Sequence, residues 1–405
     1  MEIIKILSQK IEENREKVAQ FFAQKFSQNT ALFYNSCDLR HNGVKIAPVD
    51  TNCFPAGFNN LCDDSKKLAA KIADDFLNKN FADAKKILIV PENHTRNIRY
   101  LQNLKNLQEI LSQNREVRIG SLISEITAPT DFDLENGSSI TLHPFSSPDF
   151  SADLIILNND LTDGIPNSLR DVKIPIIPST KMGWFARTKS NHFKIYNELA
   201  IELAALLQID PWLISPMHYS CGNIDFKNPD KELGGIKCLA KKVDLLLADL
   251  RKKYDEHGIK EDPYCYIKAD NGTYGIAVWP VFSSQEVLEI NKKERNKMNM
   301  LKGSVQTQSV MIQEGIKTID RIDGKIAEPM IYMIGGEVVG NLFRVNEARD
   351  EKISLNATGA SFFDLKDLEE NRLTLGLEKN KISEVYSIIA RLAALASSIE
   401  NSQKI

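Results

Sequence analysis

The sequence predicts a mixed α/β protein, α+β in overall plan, and three observations carry that prediction. Between about 85 and 179, continuous short apolar runs ("KKILIV", "SADLIILNN", "KIPIIPS") follow and precede a helical stretch, the pattern of a parallel sheet covered on both faces. From about 264 onward the runs turn β-branched and are separated by tight-turn signals at Asn271-Gly272 and Gly335-Gly336, which suits an antiparallel-rich sheet. Helical spacing frames these strands at 191–207, 233–254 and 382–399.

At 405 residues the chain has length for two or three domains. Apolar residues make up 42% and charged residues 26%, with a formal net charge of -3, so neither a basic nucleic-acid face nor an acidic tail is expected. No window holds 18 uninterrupted apolar residues, and no membrane span is expected. Cys37, Cys53, Cys62, Cys221, Cys238 and Cys265 are scattered without a C-x-x-C pair, which points to free or buried thiols in a reducing cytoplasm.

The first 28 residues carry Ile4, Leu7, Ile11, Val18, Phe22 and Phe26 at helical spacing, an amphipathic helix rather than a leader peptide. Two apolar stretches then meet through Asn42-Gly43, a dipeptide suited to the positive φ of a tight hairpin. The second arm, 44–49, delivers Asp50 and Asn52 into "VDTNCFPAGFNN", where Pro55 and Gly57 stop the strand. A helix is expected over 63–77. In the following α/β segment the first strand-to-helix turn reads "PENHTRN" instead of G-x-G-x-x-G, so no nicotinamide or flavin site is expected there.

The chemistry concentrates further on. In "IKADNGTYGIAV", Lys268 ends a strand, and Gly272 and Gly275 bracket Thr273-Tyr274, so backbone N–H groups and an ammonium can surround an anion. The same residues also suit a plain hairpin. No P-loop sequence occurs. The strand "SVMIQEGIKT" ends in Gln313 and Glu314, either an edge for an adenine amine and ribose or a loop acid facing water. Glu328, Arg344 and then Asn356 in "SLNATGASFF" complete the order.

That order resembles ATP-grasp ligases. "VDTNCFPAGFNNL", "GWFARTKSNHFKIYNELA", "IDPWLISP", "IKADNGTYGIAV", "VMIQEGIKT", "AEPMIYMIGGEVVGNLFRVN" and "LNATGA" together resemble the proteobacterial-type glutamate–cysteine ligase over 31–396. Asn271 stands where the family's glycine loop usually has alanine, and Asn346 where its arginine strand often has histidine. The resemblance implies ATP-dependent joining of glutamate to cysteine with Mg2+. No nucleic acid or membrane takes part, and a homo-oligomer is left open. It also implies an ATP-grasp-like nucleotide domain at 181–405, a small α/β substrate-side domain at 81–180, and a helix and metal-loop hairpin at 1–80.

ATP-grasp enzymes generally hold the metal with an E-x-N pair after the arginine segment, and none follows Asn356 here. Asp50-Thr51-Asn52 has equivalent spacing near the N-terminus, and residues two apart on a strand face the same way, so a circularly permuted sheet is implied. Asp50 also fits an Asx turn at a strand end. Asp270 is the implied third metal-side acid. Lys189 is implied at the α-phosphate, with Arg187 as runner-up and a further substrate-side cation. Arg40 and Arg96 are expected to grip a substrate carboxylate, each with a surface ion pair as the plainer role. Lys268, Arg344 and Asn356 are the expected catalytic contacts, and Ser190 is a suitable helix N-cap. Another carboxylate–amine ligase such as a glutathione synthetase, and a non-catalytic nucleotide-binding module, are the alternatives.

Overall fold

The computed structural model describes residues 2–226, 231, 234–271, 278–299, 307, 309–373 and 377–403. The hairpin at the N-terminus forms as its sequence dictates. Asn42 Oδ1 accepts the N–H groups of Val44 at 3.0 Å and Lys45 at 2.9 Å, Gly43 takes φ 95, and the strands Tyr34–His41 and Ile46–Asn52 pair antiparallel. This hairpin is not an independent unit. Its first strand pairs antiparallel with Lys325–Ile334, placing Met330 opposite Asp38, and the sheet continues through Glu337–Val345 to Ser361–Asp364.

A second, four-stranded sheet runs Val278–Val281, Cys265–Ala269, Ser309–Glu314, His218–Gly222, all antiparallel. The strands of the last third therefore split between two sheets instead of forming the single one their turn signals suggested. A third sheet runs Thr130–Asp133, Ser139–Pro144, Glu116–Ser121, Lys86–Pro91, Leu154–Asn158, Ile176–Ile177, parallel except for its first pair. The strands His218–Gly222 and Thr130–Asp133 escaped the sequence reading because they are mostly exposed and lack an apolar alternation. The amphipathic N-terminal segment is two helices, Glu2–Glu13 and Arg15–Gln28, broken at Asn14, whose ψ of 22 leaves the helical range.

The C-terminal helix Lys379–Gln403 is long and apolar enough to cross a membrane by composition, with mean hydropathy 1.4. It is instead a core helix. Ile382, Val385, Tyr386, Leu392 and Leu395 are fully buried in one cluster with the helix Lys189–Leu207, the N-terminal helices and one face of the first sheet. Each such side chain contributes about 1.5–3 kcal/mol by leaving water. The other face of the first sheet, through Met330, Tyr332, Ile334 and Leu342, shares a core with the helices Asp63–Asn80 and Ile98–Leu111.

The loop after Asn52 is tied down by side chains reaching its backbone. Asn103 Oδ1 accepts from the N–H groups of Gly57 at 2.8 Å and Phe58 at 3.0 Å, and the Tyr332 hydroxyl donates to the Ala56 carbonyl at 2.5 Å. At Gly57, φ is 111 and a Cβ would lie 2.5 Å from the Tyr332 hydroxyl, so both conformation and space demand glycine.

Candidate active site

The first and second sheets face each other across a cleft lined by Asp38, Arg40, Val49, Asp50, Lys189, Tyr266, Lys268, Ala269, Val278, Glu328, Ser354 and Asn356. Its geometry starts from a bulge. Across the hairpin, Leu39 pairs with Pro48 but Asp38 pairs with Asp50, so Val49 is the extra residue of the second strand. Val49 lies on the edge strand of the sheet, and Lys268 Nζ donates to its carbonyl at 2.9 Å. The same ammonium donates to Gln313 Oε1 at 2.6 Å.

Asp50, its side chain 46% exposed, accepts from Lys189 Nζ at 2.6 Å. Burial pushes the Asp50 carboxyl up, but the Lys189 and Lys268 ammoniums outweigh it and hold it down to about 2. Burial, with the neighbouring Lys189 and Arg40 cations, pushes the Lys268 ammonium down to about 7 despite the pull of Asp50. On the floor of the cleft, Arg344 Nη1 donates to Glu328 Oε1 at 2.6 Å and Asp38 Oδ2 at 3.0 Å. Burial and the nearby Glu328 and Asp50 charges push Asp38 up in spite of Arg344, whereas Arg40 and Arg344 together overcome burial and hold Glu328 down.

Asp50, Lys189, Lys268, Arg40 and Asn356 thus meet in one cleft, with Arg344 directly beneath. Several expected contacts lie elsewhere. All five N–H groups of Arg40 are taken, by Glu328 and by the carbonyls of Ile316, Glu351 and Ile353, so it has no free fork for a substrate carboxylate. Arg96 is exposed on the loop after the strand Lys86–Pro91 and does not line the cleft. Arg187 is buried and ion-paired with Glu400. Asn52 Oδ1 accepts from the Phe54 N–H at 2.8 Å in an Asx turn, and Asn52 is not among the residues lining the cleft.

Asp270 does not line the cleft. Its two oxygens accept from the Ser190 N–H and the Ser190 hydroxyl, each at 2.7 Å, so it caps the helix Lys189–Leu207 from outside. Ser190, expected at the N-cap, sits in the first turn for that purpose. Gln313 backs Lys268, with its own Nε2 buried and unpaired. Glu314 is buried against Lys45 at 2.7 Å and the Met217 N–H at 3.0 Å, away from the cleft lining. Gly272, Thr273, Tyr274 and Gly275 lie outside the described residues.

Sequence reasoning missed Asp38 and assigned Glu328 no role. Continuing the register from His41 opposite Ile46 would set Val49 opposite Asp38, and the one-residue bulge that brings Asp50 there has no signature in composition. The donor set that results is of hard oxygens, from Asp38, Asp50 and Asn356, beside two ammoniums. This chemistry fits an octahedral divalent cation and a polyphosphate.

The cleft sets three cations, Arg40, Lys189 and Lys268, among three carboxylates, Asp38, Asp50 and Glu328, and it belongs to a carbon–nitrogen ligase. The chain belongs to the glutamate–cysteine ligase family, whose profile matches residues 8–401. It is similar to a crystal structure from Methylobacillus flagellatus whose gamma-glutamylcysteine synthetase activity is itself inferred. Identity is 38% over 98% of this chain and 96% of that one, with a TM-score of 0.89. D-alanyl-alanine synthetase A from Vibrio cholerae aligns at 12% identity over 76% of this chain and 80% of that one, and a glutathione synthetase-like effector from Globodera pallida at 10% over 85% and 75%; each has a TM-score of 0.32. Comparison with curated proteins finds no match.

Proposed function

We propose that the chain joins the γ-carboxylate of glutamate to the amine of cysteine at the expense of ATP, and that the cleft between the first two sheets is where this happens. The observation that carries the reading is convergence: Lys189, 139 residues from Asp50, and Lys268, 219 residues from Val49, both close on the bulged end of one N-terminal strand. The γ-carboxylate attacks the γ-phosphorus to give an acyl phosphate and ADP, and the amine then displaces phosphate. A free carboxylate would have to lose oxide, and phosphorylation replaces that with a far better leaving group.

The residues' share is positioning and charge neutralisation. Lys268 and Lys189 neutralise the phosphate chain. Asp50 and Asp38, with the exposed amide of Asn356, would hold Mg2+, which when bound would supply positive charge against the phosphate chain. Arg344 acts from below, fixing the Asp38 and Glu328 carboxylates. The described part of the nucleotide side is the second sheet, and the segment 81–180 lies on the amino-acid side. The six free thiols suit a reducing cytoplasm.

ADP release tests the assignment. Turnover is expected with glutamate plus cysteine and not with γ-glutamylcysteine plus glycine. The reverse preference would make the chain a glutathione synthetase, and ATP binding with no turnover on either pair would make it a nucleotide-binding module.

A further inference from the structure

Glu400 is fully buried near the end of the helix Lys379–Gln403 and is absent from the cleft lining. Its Oε2 accepts from Arg187 Nε at 3.0 Å and its Oε1 from Arg187 Nη2 at 3.3 Å, while Oε1 also meets His192 Nδ1. Both partners continue to one residue. Arg187 Nη1 donates to the Thr51 carbonyl at 2.7 Å, and His192 Nε2 lies 3.0 Å from Thr51 Oγ1. With His192 donating from Nδ1 to the carboxylate, its Nε2 is left to accept the Thr51 hydroxyl.

Thr51 follows Asp50 on an edge strand. The outer side of that strand has no neighbouring strand, and side-chain cations take its carbonyls: Lys268 at Val49 and Arg187 at Thr51. The Arg187–Thr51 bond and the Lys189–Asp50 ion pair join the same two segments one step apart. Whatever fixes the first therefore sets the second. Trp184 packs beneath both cations, its ring 4.8 Å from the Arg187 guanidinium carbon and 4.3 Å from Lys189 Nζ.

We infer that Glu400 is a positioning residue of the cleft, holding Arg187 and His192 so that together they clamp Thr51 and present Asp50 to a divalent cation. The inference rests on the cleft reading above. It gives a role to a buried carboxylate on a helix whose other buried residues are mostly Ile, Leu and Ala. Its counterpart at Val49, Lys268, faces the cleft and can be drawn away by phosphate, whereas the Glu400 clamp lies behind the strand and stays.

The test is Mn2+ affinity of the full chain, read by the paramagnetic signal of the free ion with a non-hydrolysable ATP analogue present, alongside kinetics. Glu400→Gln keeps the shape but sets an amide among donors. It is expected to weaken Mn2+ binding roughly 10- to 100-fold, the range for outer partners of metal ligands. The KM for the metal–ATP complex should rise while that for glutamate stays unchanged, and Glu400→Asp, which keeps the charge, should recover part of the loss. If Glu400→Gln does not fold, Thr51→Val decides. It removes only the His192 end of the clamp and is expected to weaken Mn2+ severalfold. Unchanged Mn2+ affinity in a folded Glu400→Gln, or in Thr51→Val where that variant decides, overturns the inference while a large loss in Asp50→Asn upholds the cleft. Unchanged affinity in Asp50→Asn overturns both.

Discussion

Lys268 Nζ donates to the carbonyl of Val49 at 2.9 Å, tying the end of a strand in one sheet to the bulge that carries Asp50 in another. The ammonium thus takes a carbonyl of an edge strand and, in the same position, faces the cleft. Lys268→Met would leave the Val49 carbonyl and Gln313 Oε1 without their donor, costing about 1–3 kcal/mol, which a chain of this size tolerates. Turnover is expected to fall roughly 10²- to 10³-fold, as when one preorganised donor to developing charge is removed. ADP release and circular dichroism on the same sample read both effects.

The depressed Lys268 ammonium gives nucleotide binding a pH signature. Its position at about 7 in the empty cleft leaves it mostly neutral a unit higher, and a polyphosphate restores the charge. Calorimetry in buffers of different ionisation enthalpy should therefore show uptake approaching one proton per ATP at about pH 8, and almost none near about pH 5.5, where Lys268 already carries its proton. The stability sign follows from the same comparison. The unfolded chain holds more protons on this lysine between about 7 and 10.5, so its penalty on the empty fold is full below about 7 and is relieved as pH rises through that window.

Two aspartates that sequence spacing placed in one metal set should behave differently. Asp50→Asn removes the charge between Lys189 and Lys268 and is expected to abolish Mg2+-dependent turnover and to lower the melting temperature, because two largely buried ammoniums lose their counter-charge. Asp270→Asn instead keeps an oxygen for the Ser190 N–H and only weakens an external cap on the helix Lys189–Leu207, costing less than the ~0.5–2 kcal/mol of removing a cap altogether. Cation affinity in Asp270→Asn should stay within severalfold of the parent. Thermal melts paired with Mn2+ titration separate the two outcomes.

The sequence exposed the parts of this protein that depend on local chemistry. The hairpin at Asn42-Gly43, the helix from Asp63, the parallel strands and the lysine strand all announce themselves through turn residues or periodicity. That Asp50, Lys189 and Lys268 would come to one cleft was legible too, because ordered motifs far apart in the chain shared one chemistry, although the direct Lys189–Asp50 ion pair was not. What stayed hidden depends on long-range register. Nothing in "DLRHNGVKIAPVD" marks Val49 as bulged, and nothing near Glu400 announces that it will meet Arg187 across 213 residues. Arginines were the poorest guide, since Arg40 and Arg187 look free in sequence and are fully engaged once folded.

Glu314 offers the sharpest contrast between a motif-based role and a structural one. Lys45 Nζ lies 2.7 Å from its Oε2, 2.9 Å from the Ser215 carbonyl and 4.0 Å above the Trp212 ring, and both charged side chains are wholly buried. Burial pushes Lys45 down to about 8 even with this partner. Lys45→Met would strand the Glu314 carboxylate in the interior, and removing one member of a buried pair destabilises by about 3–5 kcal/mol. The double variant Lys45→Met with Glu314→Leu removes the orphaned charge and should recover most of that loss in chemical denaturation. If Glu314 serves the sheet and not the nucleotide, the KM for ATP in the double variant should remain within two- or threefold of the parent, whereas a role in holding ribose or adenine would raise it far more, whatever the recovery in stability.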